Sequence, residues 1–373
     1  MATPDIIVRS GEVVALRLFD IAYATDLARA EALWAAHVGR KSERSRLTTA
    51  PAKALAFGVP PLLLTLPAMN LTLGTGPVPA RISARLYDFG VVALAVRISA
   101  ADAAWADFAA LFNALDRLVG PAADTQIWAD TLGQVRTIVE PALERPTSSP
   151  LQEDYLIGVV QRLSSPMNAI ELRERLDIAE LLSGETRPLS DAAKRDLMLR
   201  SFSYYADDLV VLTWDRAFIY EPRGDSDVAD VIEVANAQLV ELRYYDELLD
   251  DELPRMYDRV EDARSTLSIF ASRRFAHLAR RLYTLVAEVT ELTEKVDNAL
   301  QVTEDVYLAR VYSAALDLFR VPNVSAAVDR KLAIIRDTYA ALYSEASSRR
   351  AELLEVAIVF LIVIEIILAV IRR

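Results

Sequence analysis

Two glutamates inside an apolar run are the residues whose setting most demands a chemical explanation. Leu353 to Ile371 (LLEVAIVFLIVIEIILAVI) is nineteen residues long and contains Glu355 and Glu365. At about 1.5 Å per residue such a run approaches the hydrocarbon thickness of a bilayer, so its length predicts a transmembrane helix over 353–371. A charged carboxylate at mid-membrane depth costs about 3 kcal/mol unless it is paired. Glu365 therefore has two readings: a polar contact that fixes helices against each other, or one member of a ring lining an ion path in an oligomer. In the first reading Glu352 and Glu355 simply sit at the membrane interface.

A second charged constellation lies upstream. Residues Asp225 to Asp262 hold thirteen Asp/Glu against three Arg, whereas Arg264 to Arg281 hold five arginines and no acid. An antiparallel helical hairpin would set Asp246, Glu247, Asp250 and Asp251 opposite Arg273, Arg274, Arg280 and Arg281 as salt bridges. Alternatively the acidic helix takes divalent cations or a basic partner, and a cation site requires several carboxylates to converge on one point.

Much other chemistry is excluded by composition. The chain has no cysteine, which removes disulfides, iron–sulfur clusters, Cys-ligated zinc and thiol nucleophiles, and His37 and His277 are its two histidines. A net charge of −12 opposes general nucleic-acid binding. Asp88-Phe89-Gly90 spells a kinase tripeptide, but no Gly-rich loop or catalytic loop accompanies it. Gly74-Thr75-Gly76 lacks the third glycine and the following helix of a dinucleotide fingerprint. The pairs Tyr204-Tyr205 and Tyr244-Tyr245 read as core or interface anchors rather than stacking platforms. Nothing nominates a catalytic residue, a metal site or a cofactor.

The elements that must position these residues change character along the chain. All eleven glycines lie at or before Gly224, and beyond it Pro254 and Pro322 are the sole helix-breaking residues. The boundary is expected in EPRGDS, Glu221 to Ser226. Residues 1–222 alternate short β-rich runs with helices near Asp26–Ala36, Asp102–Leu118 and Thr125–Glu140, an α+β domain with a largely antiparallel sheet. Two stretches share a β-β-α grammar and suggest a duplicated unit.

The remainder reads as coiled-coil helices. Ile232, Ala235, Leu239, Leu242, Asp246, Leu249, Leu253 and Met256 keep 3,4 spacing, with a bend or end expected near Pro254. Leu278, Leu282, Leu285, Val289, Leu292, Val296, Ala299, Thr303 and Val306 hold the same rhythm for about four heptads, which makes 226–321 a helical hairpin. Val328, Leu332, Ile335, Tyr339, Leu342 and Ala346 then form a stalk over 323–352 that continues into the tail. With 36 arginines to five lysines the gene reads as GC-rich and bacterial. No signal peptide is visible, so the bulk of the chain is expected in the cytoplasm, anchored once in the inner membrane by its C-terminus.

The tail SSRRAELLEVAIVFLIVIEIILAV, with Leu354-Glu355 and the late Glu365, resembles the end of the required-for-meiotic-nuclear-division family, also called domain of unknown function 155. LYDFGVVALAV at Leu86 to Val96 and LVELRYYDELLDDEL are similar to further family segments, although the histidine and tryptophan that commonly flank the family's last span are missing here. The resemblance implies a membrane-anchored oligomer and identifies no catalytic residue. The architecture is also similar to CorA-type magnesium channels, without their Gly-Met-Asn motif or second span. The expectation is therefore a non-enzymatic oligomeric scaffold, bound to membrane lipid and to further copies or a protein partner, with no nucleic acid. A minimal cation-conducting or cation-sensing oligomer is the alternative, and an enzyme with its site in residues 1–222 a third.

Overall fold

The structure, a computed structural model, describes residues 6–38, 43–44, 56–57, 59–74, 76–185, 187–224, 227–265, 268–298, 300–301 and 306–371. In chain order the strands are β1 (Ile7–Asp20), β2 (Ala22–Thr25), β3 (Glu43–Arg44), β4 (Ala56–Phe57), β5 (Leu62–Thr65), β6 (Met69–Leu73), β7 (Gly76–Leu86), β8 (Val91–Ala100), β9 (Ala103–Ala104), β10 (Leu143–Pro146), β11 (Gln152–Leu163), β12 (Ser201–Phe202), β13 (Leu209–Leu212), β14 (Arg216–Tyr220) and β15 (Leu300–Gln301). The helices are α1 (Leu27–Val38), α2 (Trp105–Val119), α3 (Ile127–Val139), α4 (Ala169–Arg175), α5 (Ile178–Ser183), α6 (Asp191–Leu197), α7 (Val228–Ser265), α8 (Ser268–Asn298), α9 (Val306–Leu318) and α10 (Val321–Ile371).

The chain divides into two units: residues 1–244 with 295–322, and residues 245–294 with 323–373. The division falls inside α7, between Tyr244 and Tyr245, and α9 belongs with the sheet. It does not follow the change in glycine content near Glu221 to Ser226, of which Asp225 and Ser226 lie outside the described residues.

The first unit is built on an eleven-stranded sheet with the path β12-β13-β14-β11-β1-β8-β7-β5-β3, to which β6 and β9 add through β7 and β1. Its pairings are antiparallel except β11 with β14. Strand alternation gives the sheet two apolar faces. Val13 and Ala15 of β1 and Leu94 and Val96 of β8 join Phe108, Phe112 and Leu115 of α2 and Val135 of α3 in one core. Gly158 of β11 lets α2 approach, because a Cβ there would stand 3.2 Å from the Phe112 ring.

The alternate positions Val14, Leu16, Leu18, Ala93 and Ala95 are equally buried on the opposite face. From that face Arg85 and Tyr87 bond to Asp230 and Glu233 of α7. The first half of α7 is buried on every side, including Glu233, Asn236, Gln238 and Glu241. Asp88-Phe89-Gly90 is the β7–β8 turn, where Tyr87 N–H donates to the Val91 carbonyl and Gly90 takes φ +89°. In the second unit the expected seam positions Leu249, Met256, Leu278, Leu282, Val289, Val328, Leu332, Ile335 and Leu342 are buried, and Leu253, Leu285 and Tyr339 are half-buried. The side chains of Leu292, Val296 and Ala346 lie outside the described residues. The second seam stops where α8 ends at Asn298, with Val306 opening α9 instead of continuing it. Pro254 lies inside α7 without ending it, and Pro322 takes the second position of α10, where its missing N–H costs no helical bond.

The expected transmembrane helix is corrected. Among the described residues no helix is long and apolar enough to cross a membrane. The fully described apolar stretch of α10 runs from Leu354 to Leu368, about 22 Å of helix holding both Glu355 and Glu365, against a hydrocarbon core of about 30 Å. The tail anchor over 353–371, and the single-pass inner-membrane placement that rested on it, go with that helix.

Candidate functional site

Three groupings of buried charge stand out in the first unit, which also buries Asp208, Asp227 and Glu241. The first joins β7 to α7: Arg85 Nη1 stands 2.7 Å from Asp230 Oδ1 and 3.2 Å from Glu233 Oε1, which also accepts from Tyr87 Oη at 2.9 Å. Burial works against the Arg85 charge, but Asp230 and Glu233 outweigh it and raise its pKa further. The same burial pushes the Glu233 carboxyl up, opposed by Arg85.

The second lies on the α2 side. Arg216 donates to Asp116 at 2.6 Å and Asn113 at 3.1 Å, and packs so closely on Gly184 that a Cβ there would meet its guanidinium. Nearby Arg17 donates to the Val119 carbonyl, which also accepts from the Trp128 indole. Burial lowers the Arg17 pKa against the pull of Asp154 and Asp116, and raises that of Asp154. The third is Asp20, at the end of β1. Its Oδ1 accepts from Thr147 Oγ1 at 2.7 Å, while Oδ2 has no hydrogen-bond partner among the described residues. Desolvation pushes this carboxyl up to about 7, opposed by Thr147, the Ala22 amide and Arg136.

Among the described residues no group of three His/Asp/Glu could hold a metal ion. The three places tie strands to neighbouring helices and loops.

The charged residues singled out in the second unit are placed as follows. Asp246 and Asp250 pair with Lys331 of α10 at 2.7 and 2.6 Å. Asp251 faces Arg255 of its own helix at 3.4 Å, and Glu247 is exposed. Arg281 of α8 reaches Glu252 of α7 at 3.6 Å, while Arg280 lines a groove of about 490 Å³ with His277, Leu248, Leu285 and Glu288. The side chains of Arg273 and Arg274 lie outside the described residues. Lys331 is the partner that sequence reasoning missed. Its one signal was a lone lysine on the buried seam of α10, one position before Leu332.

The remaining candidate is the end of α10. From Tyr343 to Ile371 every described residue is exposed. Thirteen large apolar side chains, from Leu354 to Ile371, are 37–75% exposed and cover all sides of the helix, with Glu355 and Glu365 exposed among them. A side chain of this size carries about 60–120 Å² of apolar surface, so the segment presents on the order of 700 Å². Patches on monomers rarely exceed about 300–600 Å², and each partner of a stable interface contributes about 800 Å². A helix that is apolar all round needs cover on all sides. The fold and this surface define a two-unit protein, a sheet domain and a helical unit whose last helix ends in an exposed apolar segment.

The chain belongs to the family described as "Uncharacterized protein MJ0711, N-terminal domain", which matches residues 10–227. It is similar to "Uncharacterized protein MJ0711" of Methanocaldococcus jannaschii, with 25% identity over 228 residues, 61% of this chain and 69% of that protein. No solved structure matches. The matched region comprises the sheet with α1–α6, and α7–α10 lie beyond it.

Proposed function

We propose that this protein is a self-associating scaffold without a catalytic centre, assembled through the apolar end of α10. The observation that carries the reading is the all-round exposure of Leu354 to Leu368 on a helix whose preceding turns are already packed within their own unit. A second copy supplies an identical helix, and identical apolar helices bury each other side by side. Two helices alone leave the outer half of each in water, so a bundle of three or more is expected. Asp246 and Asp250 on Lys331, with Tyr283 and Tyr339 in ring contact at 5.9 Å, tie the base of α10 to its unit and make the end a fixed presentation.

The test is light scattering on the intact chain beside a full-length variant carrying Phe360→Asp and Ile364→Asp, two exposed positions. An assembly of three or more copies that persists at about 500 mM NaCl, and falls to a monomer in the variant at that salt, supports the reading. An intact chain that is monomeric in aqueous buffer ends it.

A further inference from the structure

We propose that the exposed face of α9 docks the acidic stripe of α7 from a second copy of this chain. Val306, Arg310, Ser313 and Asp317 are exposed at three- and four-residue spacing along α9, and Arg320 continues the line just past its end. An aromatic–arginine pair stands at each end of this line. At the start, Tyr204 contacts Tyr307 and Tyr205, with ring centroids 5.5 and 4.7 Å apart, and the Arg223 guanidinium lies 4.0 Å over Tyr205. At the finish, Arg320 lies 5.6 Å over Trp214, which is 53% exposed. Arg320 holds φ +57°, a conformation that strains a residue with a side chain.

Tyrosine, tryptophan and arginine dominate the binding energy of protein interfaces. A guanidinium stacked on a ring keeps its in-plane N–H groups available for a carboxylate. Arg223, Arg310 and Arg320 have no ion-pair partner among the described residues, and Asp317 is the single acid on the line. Three unpaired arginines on a chain of net charge −12 select an acidic partner.

The chain carries a matching surface. Glu247, Asp251, Asp258 and Glu261 of α7 are exposed and fall within about 80° of arc at 3.6 residues per turn. The stripe from Glu247 to Glu261 is about 21 Å long, the same as Val306 to Arg320. Glu247, Asp258 and Glu261 have no ion-pair partner among the described residues, and Asp251 has Arg255 at 3.4 Å. Because the two surfaces are different patches, the contact is heterologous and repeats from copy to copy. This inference rests on the scaffold reading but uses none of the residues of the α10 end.

Two full-length variants test it, Arg310→Glu/Arg320→Glu and Glu247→Arg/Asp258→Arg, by sedimentation velocity and acrylamide quenching of Trp214 at about 50 and about 500 mM NaCl. Trp34 and Trp128 are buried and Trp105 is half-buried against Phe108 and Phe218, so Trp214 governs the quenching difference. The wild type is expected to form a larger assembly at low salt with Trp214 shielded, and to lose both at high salt. Each variant alone loses the salt-dependent assembly, its Trp214 becoming about twofold more quenchable, and an equal mixture of the two restores both. Wild-type salt dependence in either variant, no restoration on mixing, or shielding of Trp214 that does not vary with protein concentration overturns the proposal. Failure of the salt-independent assembly through α10 would refute the scaffold reading separately.

Discussion

Replacing Asp20 with asparagine tests whether the burial of this carboxyl is a standing cost to the fold. The side chain is 3% exposed, and its pKa is pushed up from 3.8 to about 7, first by desolvation. A folded-state value above the unfolded one means that the native protein holds the extra proton between these pH values. Stability therefore falls as pH rises from about 4 to about 7 and stays at its lowest above that. Three pKa units at 1.36 kcal/mol each give about 4 kcal/mol in total, of which about 2.5 kcal/mol is lost between pH 5 and pH 8. The asparagine keeps an oxygen to accept from Thr147 and places a neutral amide where Oδ2 lacks a partner. The amide's own burial costs about 1–3 kcal/mol at every pH and cancels from the comparison. Urea unfolding followed by the fluorescence of buried Trp34 and Trp128 should show Asp20→Asn gaining about 2.5 kcal/mol on the wild type between pH 5 and pH 8. Glu233 and Asp154, also raised by burial, slope both proteins alike. A wild-type-to-variant difference that stays constant over this range would refute the reasoning. Tyr244 offers a second reading: its phenol is pushed up to about 12 by burial, then by Asp20 and Glu241, and should titrate at lower pH in the variant.

Two further substitutions probe the sheet. Arg85→Met leaves Glu233 buried beside Tyr87 without its cation and should cost about 3–5 kcal/mol in chemical denaturation, most of it recovered when Glu233→Met is added. Gly90→Ala places a Cβ 1.7 Å from the Ala22 carbonyl oxygen at a positive φ, and should lower stability by about 3 kcal/mol or more and the Tm with it.

The helices with an apolar stripe were legible because period and burial agree. Asp102 to Leu118 was expected and α2 spans Trp105–Val119; Thr125 to Glu140 was expected and α3 spans Ile127–Val139. The first half of α7 was legible as a helix but not as a core element. Glu233, Asn236, Gln238 and Glu241 stand off its apolar seam in the sequence, and the partners that let Glu233 and Gln238 be buried, Arg85, Tyr87 and Tyr312, come from distant parts of the chain. The partner of Asp246 was missed for the same reason. Charge blocks in sequence suggested α8, whereas the geometry gives Asp246 and Asp250 to one lysine of α10. The run at 353–371 was legible as apolar, but hydropathy alone does not say what covers it. The aromatic–arginine pairs at the two ends of α9 were half legible: the Tyr204-Tyr205 doublet was visible, and Arg223 and Arg320 join the aromatic side chains through contacts that sequence spacing does not reveal.

Those polar groups also explain how a helix buried on every side keeps one register on the sheet. Val, Ile, Leu and Ala surround α7 from Val228 to Leu242, and apolar contacts between smooth faces change little when a helix slides. A shift of one turn, about 5.4 Å, would bring Ala229 or Ala237 to the place of Glu233. Arg85 would then be buried without Glu233, and the bond from Tyr312 Oη to Gln238 at 2.7 Å would break. Stranding the arginine alone costs several kcal/mol, whereas the intact pair adds little to stability over an apolar replacement. The buried acids therefore act chiefly by penalising slipped arrangements. An Arg85→Met/Glu233→Met double variant should accordingly keep most of the stability while losing that penalty, so amide exchange along Val231 to Leu242 should quicken more than the global unfolding free energy falls.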